Sequence, residues 1–84
     1  MVRNNSYLVY GRSSCPYCVE AVRLLELNDL PNDFFDLEND REFLDEAKAF
    51  YNRQTVPIVL KIDGESGIVR LIGGCDDLKG ELSD

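Results

Sequence analysis

A chain of 84 residues with a formal net charge of −7 makes one small domain with a modest core. The acidic balance excludes nucleic acid and anionic membrane surfaces as natural partners, and no apolar run approaches the roughly 20 residues that span a bilayer. The opening Met1–Ser6 lacks the apolar stretch of a secretory signal. The expectation is therefore a single domain over residues 1–84, cytoplasmic and monomeric.

In chain order, Ser6 to Tyr10 reads as a short strand with an apolar middle, followed by the loop Gly11-Arg12-Ser13-Ser14. From Cys15 to about Asp29 the pattern is helical, with Cys18, Ala21, Val22 and Leu25 on one face. Pro31 ends it. Asp33–Leu37 reads as a second strand. Asn39 and Glu42 stand at capping-box spacing, and Phe43, Ala47 and Phe50, flanked by Leu44 and Tyr51, give an amphipathic helix over about 40–51. Pro57–Ile62 and Ile68–Ile72 are β-branched runs joined by a Gly-containing loop, which fits a hairpin. Gly73-Gly74 permits a sharp turn, and residues 76–82 form a short last helix weakened by Gly80. The order β-α-β-α-β-β-α gives a mixed four-stranded sheet with the first and third strands central.

The chemistry is concentrated in Cys15-Pro16-Tyr17-Cys18. Proline is well tolerated at the first helical position, so Cys15 falls at the N-cap and Cys18 in the first turn. The amide groups and dipole of the helix start favour thiolate over thiol at Cys15. Arg12 supplies a cation three residues earlier, or is only a solvated loop charge. Cys18 lies on the apolar stripe; it resolves the disulfide formed at Cys15, or is simply a core residue. Three cysteines without a histidine are too few ligands for an ordinary zinc site and the wrong number for a secreted disulfide scaffold. Thiol–disulfide exchange is the reading left, with Cys15 attacking.

Three motifs then occur in order: Arg12-x-x-Cys15-Pro16-Tyr17-Cys18, Thr55-Val56-Pro57, and Gly73-Gly74-Cys75-Asp76-Asp77-Leu78. Together they make the chain resemble the dithiol glutaredoxins over nearly its whole length. The resemblance implies a thioredoxin-like α/β fold, with sheet order 2-1-3-4 and three helices. It also implies glutathione-dependent reduction of protein disulfides and glutathione mixed disulfides, with glutathione as reductant and no permanently bound cofactor or metal. The family usually has lysine at the place of Arg12, the hairpin loop looks slightly long, and the last helix ends early.

The resemblance further implies a cis peptide before Pro57 and pairing of the Val56 backbone with the peptide of glutathione. The bland alternative for Pro57 is a strand start. Gly74, Cys75, Asp76 and Asp77 open the last helix, where free amides make an anion site; the resemblance places the γ-glutamyl carboxylate there. Asp76 takes the α-ammonium or caps the helix, and Asp77 is a contact or a first-turn charge. Tyr17 covers the substrate or packs locally. Gln54 and Arg53, beside Thr55, are candidates for the glycine-end carboxylate or are solvated. Cys75 is expected to be a semi-exposed bystander open to oxidation. The acidic stretch from Asp36 to Glu46 reads as a solvated face. Two other functions compete: dedicated electron donor to ribonucleotide reductase, which the dithiol permits, and iron–sulfur cluster binding between two chains, against which Pro16 and Tyr17 argue.

Overall fold

A computed structural model describes residues 5–83; the reading of the N-terminal stretch as lacking a signal falls largely on residues 1–4, outside the described residues. Apolar alternation in the first run produces β1 (Ser6–Gly11), which turns Tyr7 and Val9 to one side of the sheet and Leu8 and Tyr10 to the other. The other elements are α1 (Pro16–Leu27), β2 (Asn32–Asp36), α2 (Arg41–Phe50), β3 (Ile58–Ile62), β4 (Val69–Gly73) and α3 (Cys75–Leu82). The sheet order is β2-β1-β3-β4, as expected. β1 runs parallel to β2 and antiparallel to β3, and β3 pairs antiparallel with β4. No helix among the described residues is long and apolar enough to cross a membrane.

The core lies between the sheet and the α1–α3 layer. Tyr7, Val9 and Val59 meet Ala21, Leu25 and Leu78 there, each nearly or fully buried. At about 25 cal/mol per Å², a buried Leu or Val contributes roughly 1.5–3 kcal/mol. Leu25 and Leu78 therefore do most to hold the two helices, and with them the two ends of the site, against the sheet. Glu81 fastens the far end of α3, pairing with Lys61 at 3.0 Å and Arg70 at 3.1 Å.

Two local expectations are corrected by the structure. The N-cap of α2 is Asp40, not Asn39: the Asp40 carboxylate accepts the Phe43 N–H at 3.1 Å, which shifts the cap by one residue. The buried stripe of α2 is Leu44 and Ala47, whereas Phe43 is 45% and Phe50 80% exposed. A single helix is too narrow to cover this face of a four-stranded sheet. Phe43 and Phe50 instead extend a half-exposed aromatic cluster with Tyr10, Phe35 and Tyr51.

Candidate active site

The end of β1 and the start of α1 create the reactive corner. Arg12 O accepts the Cys15 N–H at 3.0 Å, closing the loop. Cys15 is the N-cap in extended conformation and Pro16 the first helical residue. Pro16 has no N–H to satisfy, and Cys15 O accepts the N–H groups of Cys18 and Val19, each at 3.1 Å. The Cys15 side chain is left free of capping duty and half-buried. All three cysteines are free thiols.

The two thiols of the pair differ in surroundings. Cys18 is fully buried, and burial pushes its thiol up to about 12; the Arg12 backbone N–H offsets part of this, while the hydrogen bond with Cys15 adds to it. Cys18 is thus a protonated partner at neutral pH. Its sulfur packs where a side chain on Gly11 would stand: a Cβ there would collide with Cys18 Sγ and come within 3.3 Å of Phe34. Gly11→Ala is expected to cost about 1–3 kcal/mol by overpacking and to disturb the spacing of the pair. Urea unfolding of the reduced protein reads the first effect; a variant as stable as wild type contradicts it.

Two acidic residues hold the loop before Cys15. Asp36 Oδ1 accepts the Ser13 N–H at 3.1 Å, and Glu38 accepts both the N–H and the hydroxyl of Ser14. Hydrogen bonds from the Glu38 and Ser13 backbone hold the Asp36 carboxyl below its ordinary range, and those from Ser14 do the same for Glu38. The acids of 36–46 lie at the surface as expected, and two of them, Asp36 and Glu38, tether the loop as well. Nothing in local spacing points to it; the signal is the parallel register Gly11↔Asp36, which brings the end of β2 beside the loop after β1. The Arg12 guanidinium also turns to Glu38, at 3.5 Å. It lines a separate groove with Glu38, Arg41, Asp45 and Lys48.

The second motif faces the first across a short gap. The Val56–Pro57 peptide is cis, and the Cys15 thiol donates to Val56 O at 3.9 Å. From that point a groove of about 280 Å³ runs to the start of α3, lined by Tyr17, Arg53, Thr55, Val56, Pro57, Gly74, Cys75, Asp76 and Asp77. Tyr17 is 65% exposed and flanks it. Gln54 is exposed and does not line it; its neighbour Arg53 does.

At the α3 end, the cap falls to Asp77 rather than Asp76: Asp77 Oδ2 accepts the Gly74 N–H at 2.8 Å. Gly74 is the N-cap, which places Asp76 in the first turn. Cys75 is buried at 6% exposure, and burial raises its thiol, so the expectation of a semi-exposed, oxidisable side chain is corrected. Its position under the first turn of α3 removes it from solvent.

A three-helix, mixed-sheet fold that sets one partly accessible thiol at a helix start beside a buried second thiol defines a thioredoxin-fold thiol–disulfide oxidoreductase. The family model described as Glutaredoxin matches residues 8–66. Glutaredoxin-1 of Rhizophagus irregularis is 34% identical over 93% of this chain and 74% of its own length; the glutaredoxin of Vernicia fordii is 38% identical over 95% and 74%. The structure is similar to the buckwheat glutaredoxin–glutathione complex, with a TM-score of 0.74 at 22% identity, over 92% of this chain and 67% of that one. The chain belongs to the glutaredoxin family.

Proposed function

We propose that the enzyme works with glutathione, reducing glutathione mixed disulfides and protein disulfides. The observation that carries this reading is the continuity of the groove from Val56, whose carbonyl meets Cys15 Sγ, to the start of α3. A tripeptide laid along it has its cysteine sulfur at Cys15 and its γ-glutamyl end at Gly74–Asp77. The Val56 backbone, beside Cys15 in the groove, suits strand-like pairing with the tripeptide, Thr55 and Pro57 form the wall, and Tyr17 flanks the groove. That the buckwheat relative is described with glutathione accords with the reading.

In the first step the Cys15 thiolate attacks the glutathione sulfur of a mixed disulfide. A new Cys15–glutathione disulfide forms, the old S–S bond breaks, and the substrate leaves as a thiolate that takes a proton. In the second step a further glutathione thiolate attacks the glutathione sulfur; oxidised glutathione leaves and Cys15 is restored. For a protein disulfide, Cys18 displaces the substrate thiol, leaving a Cys15–Cys18 disulfide that two glutathiones reduce. The dithiol supports the same two-electron delivery to a protein such as ribonucleotide reductase. Stimulated turnover of that reductase in a reconstituted mixture tests this narrower role.

Reaction of the reduced protein with the mixed disulfide of glutathione and 2-mercaptoethanol, followed by peptide mapping, tests the main reading. The expected product carries glutathione on Cys15 and releases 2-mercaptoethanol. Transfer of the mercaptoethanol half instead, or reaction at another cysteine, contradicts it.

A further inference from the structure

We infer that Glu38 is a positioning residue for the exchange reaction: it detains the Arg12 charge and so keeps the Cys15 thiol less reactive than its motif alone would make it. The inference concerns the nucleophile and does not rest on the glutathione reading. Residues 11–14 precede the reactive cysteine, and Arg12 is the one charge among them. Its backbone stays at the site, since Arg12 O accepts the Cys15 N–H at 3.0 Å. Its guanidinium turns to Glu38 instead, with Nε 3.5 Å from Oε2. The two share a groove with Arg41, Asp45 and Lys48 of α2, and Cys15 is not part of that lining.

Glu38 is itself fixed. Its other oxygen, Oε1, accepts the Ser14 N–H at 3.1 Å and the Ser14 hydroxyl at 2.5 Å. Its own N–H donates to Asp36 Oδ1 at 3.0 Å, the oxygen that also takes the Ser13 N–H. The carboxylate thus grips the loop on either side of Ser13, and a guanidinium paired there is not available to the Cys15 sulfur. Hydrogen bonds from Ser14 hold the Glu38 carboxyl below its ordinary range, so it carries its charge throughout the range in which thiols titrate. The charges that face it are Arg12 from the loop, Asp36 from the end of β2, and Arg41, Asp45 and Lys48 from α2. An ion pair whose side chains are 44% and 32% exposed adds little to stability. Where its charges sit still matters to a neighbouring thiol, because a cation favours the thiolate and an anion opposes it. Glu38 acts on both counts, by its own charge and by the cation it holds.

The rate of Cys15 alkylation by iodoacetamide, read by peptide mapping at low salt from pH 6 to pH 10, tests this. Glu38→Gln keeps an acceptor for Ser14 and removes the charge. It is expected to speed alkylation at pH 6 about twofold or more. The gain should fall below about 1.5-fold at pH 10, where thiolate is no longer scarce, and it should shrink in about 1 M salt. Glu38→Asp, which keeps the charge, should leave the pH 6 rate within about 1.5-fold of wild type. In an Arg12→Gln background the gain from Glu38→Gln should be about half or less. Arg12→Gln alone should slow the reaction by less than about twofold, because its charge is already held elsewhere. A gain at pH 6 below about 1.5-fold overturns the inference. A gain that persists at pH 10 does so too, since it reports a loosened loop, as does a gain undiminished without Arg12. Should Glu38→Gln fail to fold, Arg12→Gln decides alone: a loss above about twofold places the cation at the thiol and overturns the inference.

Discussion

Cys15→Ser is expected to lower turnover of a glutathione mixed disulfide by about a thousandfold or more, since removing a nucleophile leaves only binding. Cys18→Ser is expected to stay within about threefold of wild type on the same substrate, because external glutathione completes the cycle. The physical reason is the contrast between the two thiols. Cys15 is a half-buried N-cap whose sulfur touches Val56 O. Cys18 is fully buried and pushed up to about 12, chiefly by desolvation, so it is protonated at pH 7. Intramolecular resolution by Cys18, followed without free glutathione, should therefore accelerate continuously as pH rises from 6 to 9. The sign follows from the raised value: ionisation of Cys18 is incomplete across that whole range. Steady-state assays of the two variants, with stopped-flow resolution against pH, check both statements; a resolution rate that levels off near pH 7 contradicts the second.

Gly73→Ala is expected to damage fold and groove together. Gly73 has φ of +126°, a conformation side chains rarely adopt, and a Cβ there would collide with the Asp77 carboxylate. That carboxylate caps α3 through the Gly74 N–H and pairs with Arg53. Strain and overpacking together should cost about 2–4 kcal/mol. The displaced Asp77 should also raise the half-saturating concentration of glutathione mixed disulfides. Urea unfolding and saturation kinetics on the folded fraction read the two effects. By contrast, Gly80 has open space around its Cβ position, and Gly80→Ala should stabilise α3 by about 1 kcal/mol or less; equal effects at the two glycines would contradict this account.

The fold was legible in the sequence because its signals are local. Alternation in 6–10, proline at the start of α1 and the β-branched hairpin each specify an element without reference to the rest of the chain. The corner around Cys15 was legible for the same reason: Pro16 fixes the helix start, and spacing fixes Cys18. What escaped depends on contacts between distant residues. Glu38 and Asp36 meet residues 13 and 14 only through the β1–β2 register. Arg53 reaches Asp77 across 24 positions, a contact that no spacing rule anticipates. The exposure of Phe43 and Phe50 followed from how little of the sheet one helix covers, which the periodicity of that helix does not contain. Chain position leaves Arg12 and Gln54 as site residues or solvated ones; Arg12 pairs with Glu38 and Gln54 is exposed outside the groove lining.

The central claim is that the two sulfurs of one helical turn differ in access, the first half-buried beside Val56 and the second fully buried and protonated. Brief alkylation of the reduced protein with iodoacetamide at pH 7, followed by peptide mapping, tests this directly. The account predicts that Cys15 is labelled first, with Cys18 and Cys75 untouched until the protein is unfolded. Labelling of Cys18 at a rate equal to or faster than that of Cys15 would contradict it.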